Sequence, residues 1–153
     1  MIRKAAFVTV VAGPVALIGI FTLQYQLPIG PVVLGLGLIP IAGLFVAKRA
    51  ITRAVPDMVF GAIDTGLLVI PALWGGIVFG VAGAIAGGVI GDALTDAIGG
   101  FFEGGIAEWL REKGIEESRE AVTTALGKMS GCLLGAGVVL SIALLVGITP
   151  GSG

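Results

Sequence analysis

"TGLLVIPALWGGIVFGVAGAIAGGVIG", residues 65–91, carries no charge, and the way it divides decides the fold. Uncharged apolar runs of this length read as transmembrane helices. "PALWGG" (71–76) joins a proline and two glycines to an interfacial tryptophan, which predicts a turn at the water boundary. One span then ends there, a third covering about 57–73, and a fourth begins near Gly76. No proline follows until Pro150, so the fourth runs on toward the amphipathic connector over 106–126.

Working outward, residues 5–47 are also uncharged. Only 12% of the 153 residues are charged, about half the share of a typical soluble domain. "QYQLPIGP" (24–31) breaks the first run with two prolines, giving spans of about 5–23 and 32–47. A fifth span covers about 129–148. The expectation is a single all-α membrane domain over 1–153, a polytopic bundle of about five transmembrane helices. Residues 1–47 form an N-terminal helical hairpin and 57–148 a three-helix core. The basic, apolar N-terminus has the start of a signal peptide. Its apolar run is longer than a usual h-region and lacks a small-x-small cleavage site, so it reads as a retained first span.

With five spans, all nine basic residues fall on one side. Arg3 and Lys4 precede the first span, Lys48, Arg49 and Arg53 join the second to the third, and Arg111, Lys113, Arg119 and Lys128 join the fourth to the fifth. The positive-inside rule makes that side cytoplasmic, with the C-terminus outside. Four or six spans would split the set.

Small residues recur every fourth position at Gly80, Ala84, Gly88, at Gly83, Gly87, Gly91 and at Gly127, Gly131, Gly135. Such faces let helix backbones approach closely. Five spans make a thin wall around any pathway, so a homodimer packed through the glycines of spans four and five is expected.

The fourth span also carries acids, in "GDALTDAIGGFFEGG" (91–105). At ~100° per residue, with Asp92 at zero, Asp96 falls near ~40° and Glu103 near ~20°. Gly88 and Gly99 share their stripe, where a neighbouring backbone or an ion can approach. Glu108 falls on the opposite side and reads as the start of the solvated connector. Asp64 lies in the third span, ~10 Å in from Asp57, and Asp92 lies ~12 Å in from Gly100 on the antiparallel fourth span. The two carboxylates therefore sit at similar depth, flanked by the hydroxyls of Thr65 and Thr95.

A charged side chain in the bilayer core costs at least ~2.5–3.5 kcal/mol. Protonation, a basic partner or a bound cation can compensate, and no Lys or Arg lies between Asp57 and Glu108. Carboxylates with hydroxyl oxygens form a hard-oxygen set suited to Ca²⁺, Mg²⁺ or Na⁺. The chain has no histidine and one cysteine, Cys132, which argues against a transition-metal site. Enzyme readings fit less well. A CDP-alcohol phosphotransferase needs an Asp-Gly pair and an arginine ahead of its last aspartates, and both are missing. An intramembrane aspartyl protease needs Gly-x-Gly-Asp, and Val89 stands where the first glycine belongs.

Three runs resemble the helices of the transmembrane protein 65 family. "VFGAIDTGLLVI" is similar to its "GFGFLDN" helix, "AGGVIGDALTDAIGG" to its "GLGNxxSDxAG" helix, and "ALGKMSGCLLGAG" to its "GKAVGVTIGCILG" helix. Order and spacing agree over about residues 56–145. The resemblance implies a membrane protein tied to sodium-dependent calcium efflux. Asp64 and Asp96 match family aspartates, whereas Thr65 and Asp92 stand where the family tends to have asparagine. A family glutamate matches Glu103 or Glu108.

The expected function is a membrane cation transporter, a sodium-coupled exchanger of calcium or another hard divalent cation. The alternatives are a divalent cation channel and a non-transporting scaffold or regulator with a structural ion. Asp64, Asp92 and Asp96 would hold the ion, Thr65 and Thr95 would add neutral ligands, and Glu103 would guide ions at the cytoplasmic mouth. The partners are inorganic cations, the bilayer and a second copy, with no nucleic acid. No mitochondrial transit peptide is recognisable, which points to the plasma membrane of a prokaryote or archaeon.

Overall fold

The computed structural model describes residues 1–114 and 120–148. Among them every regular element is an α-helix: α1 (Ile2–Gln24), α2 (Ile29–Leu36), α3 (Leu38–Val46), α4 (Ile51–Glu112) and α5 (Ala121–Leu145). Four helical stretches are long and apolar enough to cross a membrane, α2 and α3 counting as one. The third of these, Ile51–Phe102, has 52 residues. A straight helix of that length would reach ~78 Å, far beyond the ~30 Å hydrocarbon layer.

α4 therefore folds back, and it does so at Gly80. That residue has φ +65° and ψ −151°, a backbone region open essentially only to glycine. The first leg (51–79) and second leg (81–112) lie antiparallel. Gly83 meets the Gly75 carbonyl, Gly87 the Pro71 carbonyl, Gly91 the Leu68 backbone and Gly99 the Phe60 ring. With the legs counted separately, the bundle has five crossings.

The turn is not at 71–76, as the proline predicts. Pro71 lies inside the first leg. A proline there removes one backbone hydrogen bond, which a membrane helix tolerates when neighbouring helices cover the gap. The third span accordingly runs to Phe79, and the fourth begins after Gly80 rather than at Gly76. Gly80 belongs to the turn and not to a packing stripe. α5 starts at Ala121, eight residues before the expected fifth span.

α5 is the central helix. Its glycines 127, 131 and 135 meet the backbone carbonyls of Ala54, Met58 and Ala62, each pair four residues on, so α5 runs parallel to the first leg. On another side α2 packs antiparallel to it: Gly30 faces the Ser141 backbone and Gly137 the Leu34 backbone. The helix of the second span breaks at Gly37. Pro40 has no N–H to offer the Leu36 carbonyl, and the buried Ser130 hydroxyl donates to the Gly37 carbonyl at 2.8 Å. The stripes 83/87/91 and 127/131/135 are thus both occupied within one chain, so a contact with a second copy must lie on other faces.

Leu44, Ala54, Val122 and Leu126 form the buried core at one end, with Phe7, Val11 and Met58 packed around them. Glu120 caps α5 at this end, accepting from the Thr123 amide at 3.2 Å and the Thr123 hydroxyl at 2.6 Å. The same carboxylate pairs with Lys4 at 3.2 Å and Arg49 at 3.1 Å. The N-terminus, the α3–α4 connector and the start of α5 therefore share one end of the bundle, as the distribution of basic residues predicts.

Candidate cation site in the α4 hairpin

The register of the hairpin sets Asp64 on the first leg level with Thr95 on the second, since Phe60 faces Gly99 and Leu68 faces Gly91. Asp92 and Asp96 lie one helical turn apart, on either side of that level. One carboxylate oxygen from each of Asp64, Asp92 and Asp96 lies within 4.8 Å of the other two. The convergence expected from depth is thus present in the fold.

The three are not equivalent. Asp64 is buried, with 9% exposure, whereas Asp92 and Asp96 are exposed. Asp64 Oδ1 is shielded and has no hydrogen-bond partner among the described residues. Among the described residues its only unpartnered counterpart in the buried side-chain oxygens is the neutral Ser141 hydroxyl on α5. A buried acceptor left without a donor costs about 1–3 kcal/mol, more when charged. No ion pair among the described residues reaches the cluster; those of Lys4 and Arg49 go to Glu120. Two ionised carboxylates 4.8 Å apart repel by about 3.5 kcal/mol at an effective dielectric of ~20. A cation shared among the three would relieve this repulsion.

The spacing suits such an ion. Two oxygens bound to one Ca²⁺ at ~2.3–2.6 Å can be no more than ~5 Å apart, and for Mg²⁺ the limit is ~4.2 Å. Three oxygens spaced equally around one Ca²⁺ at ~2.6 Å stand ~4.5 Å apart, so oxygens that all lie within 4.8 Å of one another are near the spacing of a shared Ca²⁺.

Thr95 is half-buried, and its hydroxyl donates to its own helix, to the Asp92 carbonyl at 3.1 Å. It fixes the turn that carries Asp92 and Asp96. Thr65 is half-buried and does not line the cleft described below. Adjacent residues on a helix point ~100° apart, so sharing a depth with Asp64 does not give a shared direction. The side chain of Glu103 lies outside the described residues, and Glu108 is exposed. Gly99 is not open to an ion: the Phe60 ring sits against it.

Two features had no place in the sequence reading. The first is a cleft of about 310 Å³ between the legs, lined by Phe60, Ile63, Asp64, Leu67, Thr95 and Phe102 among others. The second is Lys128, whose ammonium lies 5.0 Å from the centre of the Phe60 ring. The i, i+4 pair Phe60–Asp64 was the only sequence signal for either, and a ring's direction is not written in its spacing.

Comparison with protein-family models, with curated proteins and with solved structures gives no match to this chain.

Proposed function

We propose that this chain is a membrane cation transporter, a sodium-coupled exchanger of a divalent cation, with calcium as the leading candidate. The observation that supports it most is that buried Asp64 brings a carboxylate oxygen within 4.8 Å of one from each of Asp92 and Asp96, with no ion-pair partner among the described residues. Asp64, Asp92 and Asp96 hold the ion in this reading, and Thr95 orients the last two. Glu103 guides ions at the mouth. The resemblance to the transmembrane protein 65 family adds sodium coupling and calcium as the cargo.

Alternation follows from where the groups sit. Asp64 belongs to the leg braced by α5, and Asp92 and Asp96 belong to the leg joined to it through Gly80. Movement of the second leg along its glycine face separates the two acids from Asp64 and divides one divalent load into monovalent ones. Exposed Asp92 and Asp96 would each cost at least ~2.5–3.5 kcal/mol against lipid. A homodimer that covers the outer face of the second leg, with water between the copies, removes that cost. The basic end is cytoplasmic in this reading.

Liposomes loaded with Na⁺ and diluted into Ca²⁺ test the proposal. Ca²⁺ uptake that requires the Na⁺ gradient supports exchange, and uptake without it supports a channel. Thermal stabilisation by Ca²⁺ with no flux would replace the transporter with a scaffold that holds a structural ion.

A further inference from the structure

We propose that the basic end of the bundle holds the headgroup of an anionic phospholipid, with Lys4 and Arg49 as the donors to its phosphate. Five cations meet at this end from two separate segments: Arg3 and Lys4 at the start of α1, and Lys48, Arg49 and Arg53 around the α3–α4 connector. All five are exposed. The carboxylates at this end among the described residues are Glu120 and, one turn on from Arg53, Asp57. Five cations against two carboxylates leave three positive charges in excess. Glu120 gathers two of the five. Its Oε1 lies 3.2 Å from Lys4 Nζ and 3.1 Å from a guanidinium nitrogen of Arg49, so by the sum of the two those nitrogens stand no more than 6.3 Å apart. Its Oε2 is taken by Thr123, which fixes the carboxylate. An ammonium has three donors and a guanidinium five, and Glu120 is the only ion-pair partner of either among the described residues. The Lys4 and Arg49 side chains are 53% and 40% exposed, so donors remain open to a phosphate.

The connector carries charge where its fold needs none. Lys48 makes the left-handed turn that ends α3, at φ +55°, and the Arg49 amide donates back to the Leu44 carbonyl at 2.9 Å. Glycine is the usual residue there, as Gly147 is at the end of α5, and the uncharged Gln26 makes the same turn after α1. Depth then separates a lipid phosphate from a soluble one. The uncharged run 5–47 begins directly after Lys4 and ends directly before Lys48. The cations therefore stand at the hydrocarbon boundary, where headgroups lie and where anionic leaflets attract basic clusters. Phe45 and Val46, exposed in the last turn of α3, give the acyl chains an apolar wall below the charges. A soluble anion has no use for that wall. The inference rests on the membrane-spanning bundle and not on cation transport.

Native mass spectrometry of the full chain in detergent tests it. The probes are dioleoylphosphatidylglycerol and dioleoylphosphatidylcholine, which share tails and differ in headgroup charge. The anionic lipid is expected to bind at least tenfold more tightly, ~1.4 kcal/mol, and Arg49→Gln is expected to remove most of that preference. Lys48→Gln, at an exposed position with no ion pair among the described residues, should weaken anionic-lipid binding at least threefold even if Arg49→Gln does not fold. Lys113→Gln removes an equal charge beyond the second leg and should leave binding unchanged. Equal binding of the two lipids to the wild type, or equal effects of Lys48→Gln and Lys113→Gln, overturns the proposal and leaves a diffuse cationic surface. Glycerol 3-phosphate, which has no tails, should bind at least tenfold more weakly than the anionic lipid. Binding as tight would make this a site for a soluble phosphate and overturn the lipid assignment.

Discussion

Asp64 and Asp96 stand on opposite legs of one helical hairpin, yet bring carboxylate oxygens within 4.8 Å of each other. They meet because the chain reverses at Gly80, which lays the two legs antiparallel and brings these residues to one level, and because the packing of the legs turns both acids to the same side. The site therefore depends on the turn as much as on the acids.

The turn should tolerate no side chain. Gly80 has open space around it, so a Cβ meets no atom there. The obstacle is its backbone, at φ +65° and ψ −151°. Gly80→Ala should cost about 1–3 kcal/mol, read as a lower unfolding temperature in detergent. A variant as stable as wild type would mean that the reversal does not need that conformation.

The glycine stripes should behave as internal packing. Gly131 meets the Met58 backbone, whereas Gly88 has only the Ala72 methyl at 3.8 Å. Gly131→Leu should destabilise the monomer by about 1–3 kcal/mol or more, because a backbone cannot step aside. Gly88→Leu should cost far less. Chemical unfolding of the two variants side by side gives the order, and the reverse order would contradict the parallel packing of α5 on the first leg.

The Glu120 node makes a pH prediction. The Thr123 hydroxyl above all, then Lys4, the Thr123 amide and Arg49, hold its carboxyl down at about 2, against an ordinary 4.5. A depressed carboxylate contributes stability that is complete above the ordinary value and is lost as pH falls toward the folded value. Unfolding temperature should therefore drop between about pH 4.5 and 2. Glu120→Gln should be less stable at neutral pH and show a smaller drop. Identical pH profiles for the two proteins would remove the node from the account.

Sidedness follows from five crossings. In a Cys132→Ser background, Gln26→Cys in the α1–α2 turn and Lys113→Cys beyond the second leg should react with an impermeant thiol reagent from opposite sides. Labelling of both from one side would require an even number of crossings between them.

The helical bundle and the meeting of the acids were legible in the sequence. Grouping the basic residues on one side fixes the order of crossings, and a rise of ~1.5 Å per residue then sets Asp64 and Asp92 at one depth. The turn was not legible. Gly80 is one of 27 glycines, and its neighbours at every fourth position look like a packing stripe. Pro71 draws the eye as a helix breaker, but a membrane-spanning leg with a covered face absorbs it. Thr65 shows a second limit, since depth comes from counting whereas direction comes from packing. The cleft beside Asp64 depends on how the Phe60 ring settles over Gly99, which no spacing records.

Calcium flux and calcium-dependent thermal stability, measured together on wild type, Asp64→Asn and Asp92→Asn, test the central claim most directly. Asp→Asn keeps size and removes charge. Each variant should lose at least tenfold in Na⁺-driven Ca²⁺ uptake, ~1.4 kcal/mol, and should lose the stabilisation that Ca²⁺ gives the wild type. Neither should unfold without the ion, because each removes repulsion within the cluster. Wild-type uptake and wild-type stabilisation in both variants would contradict the account.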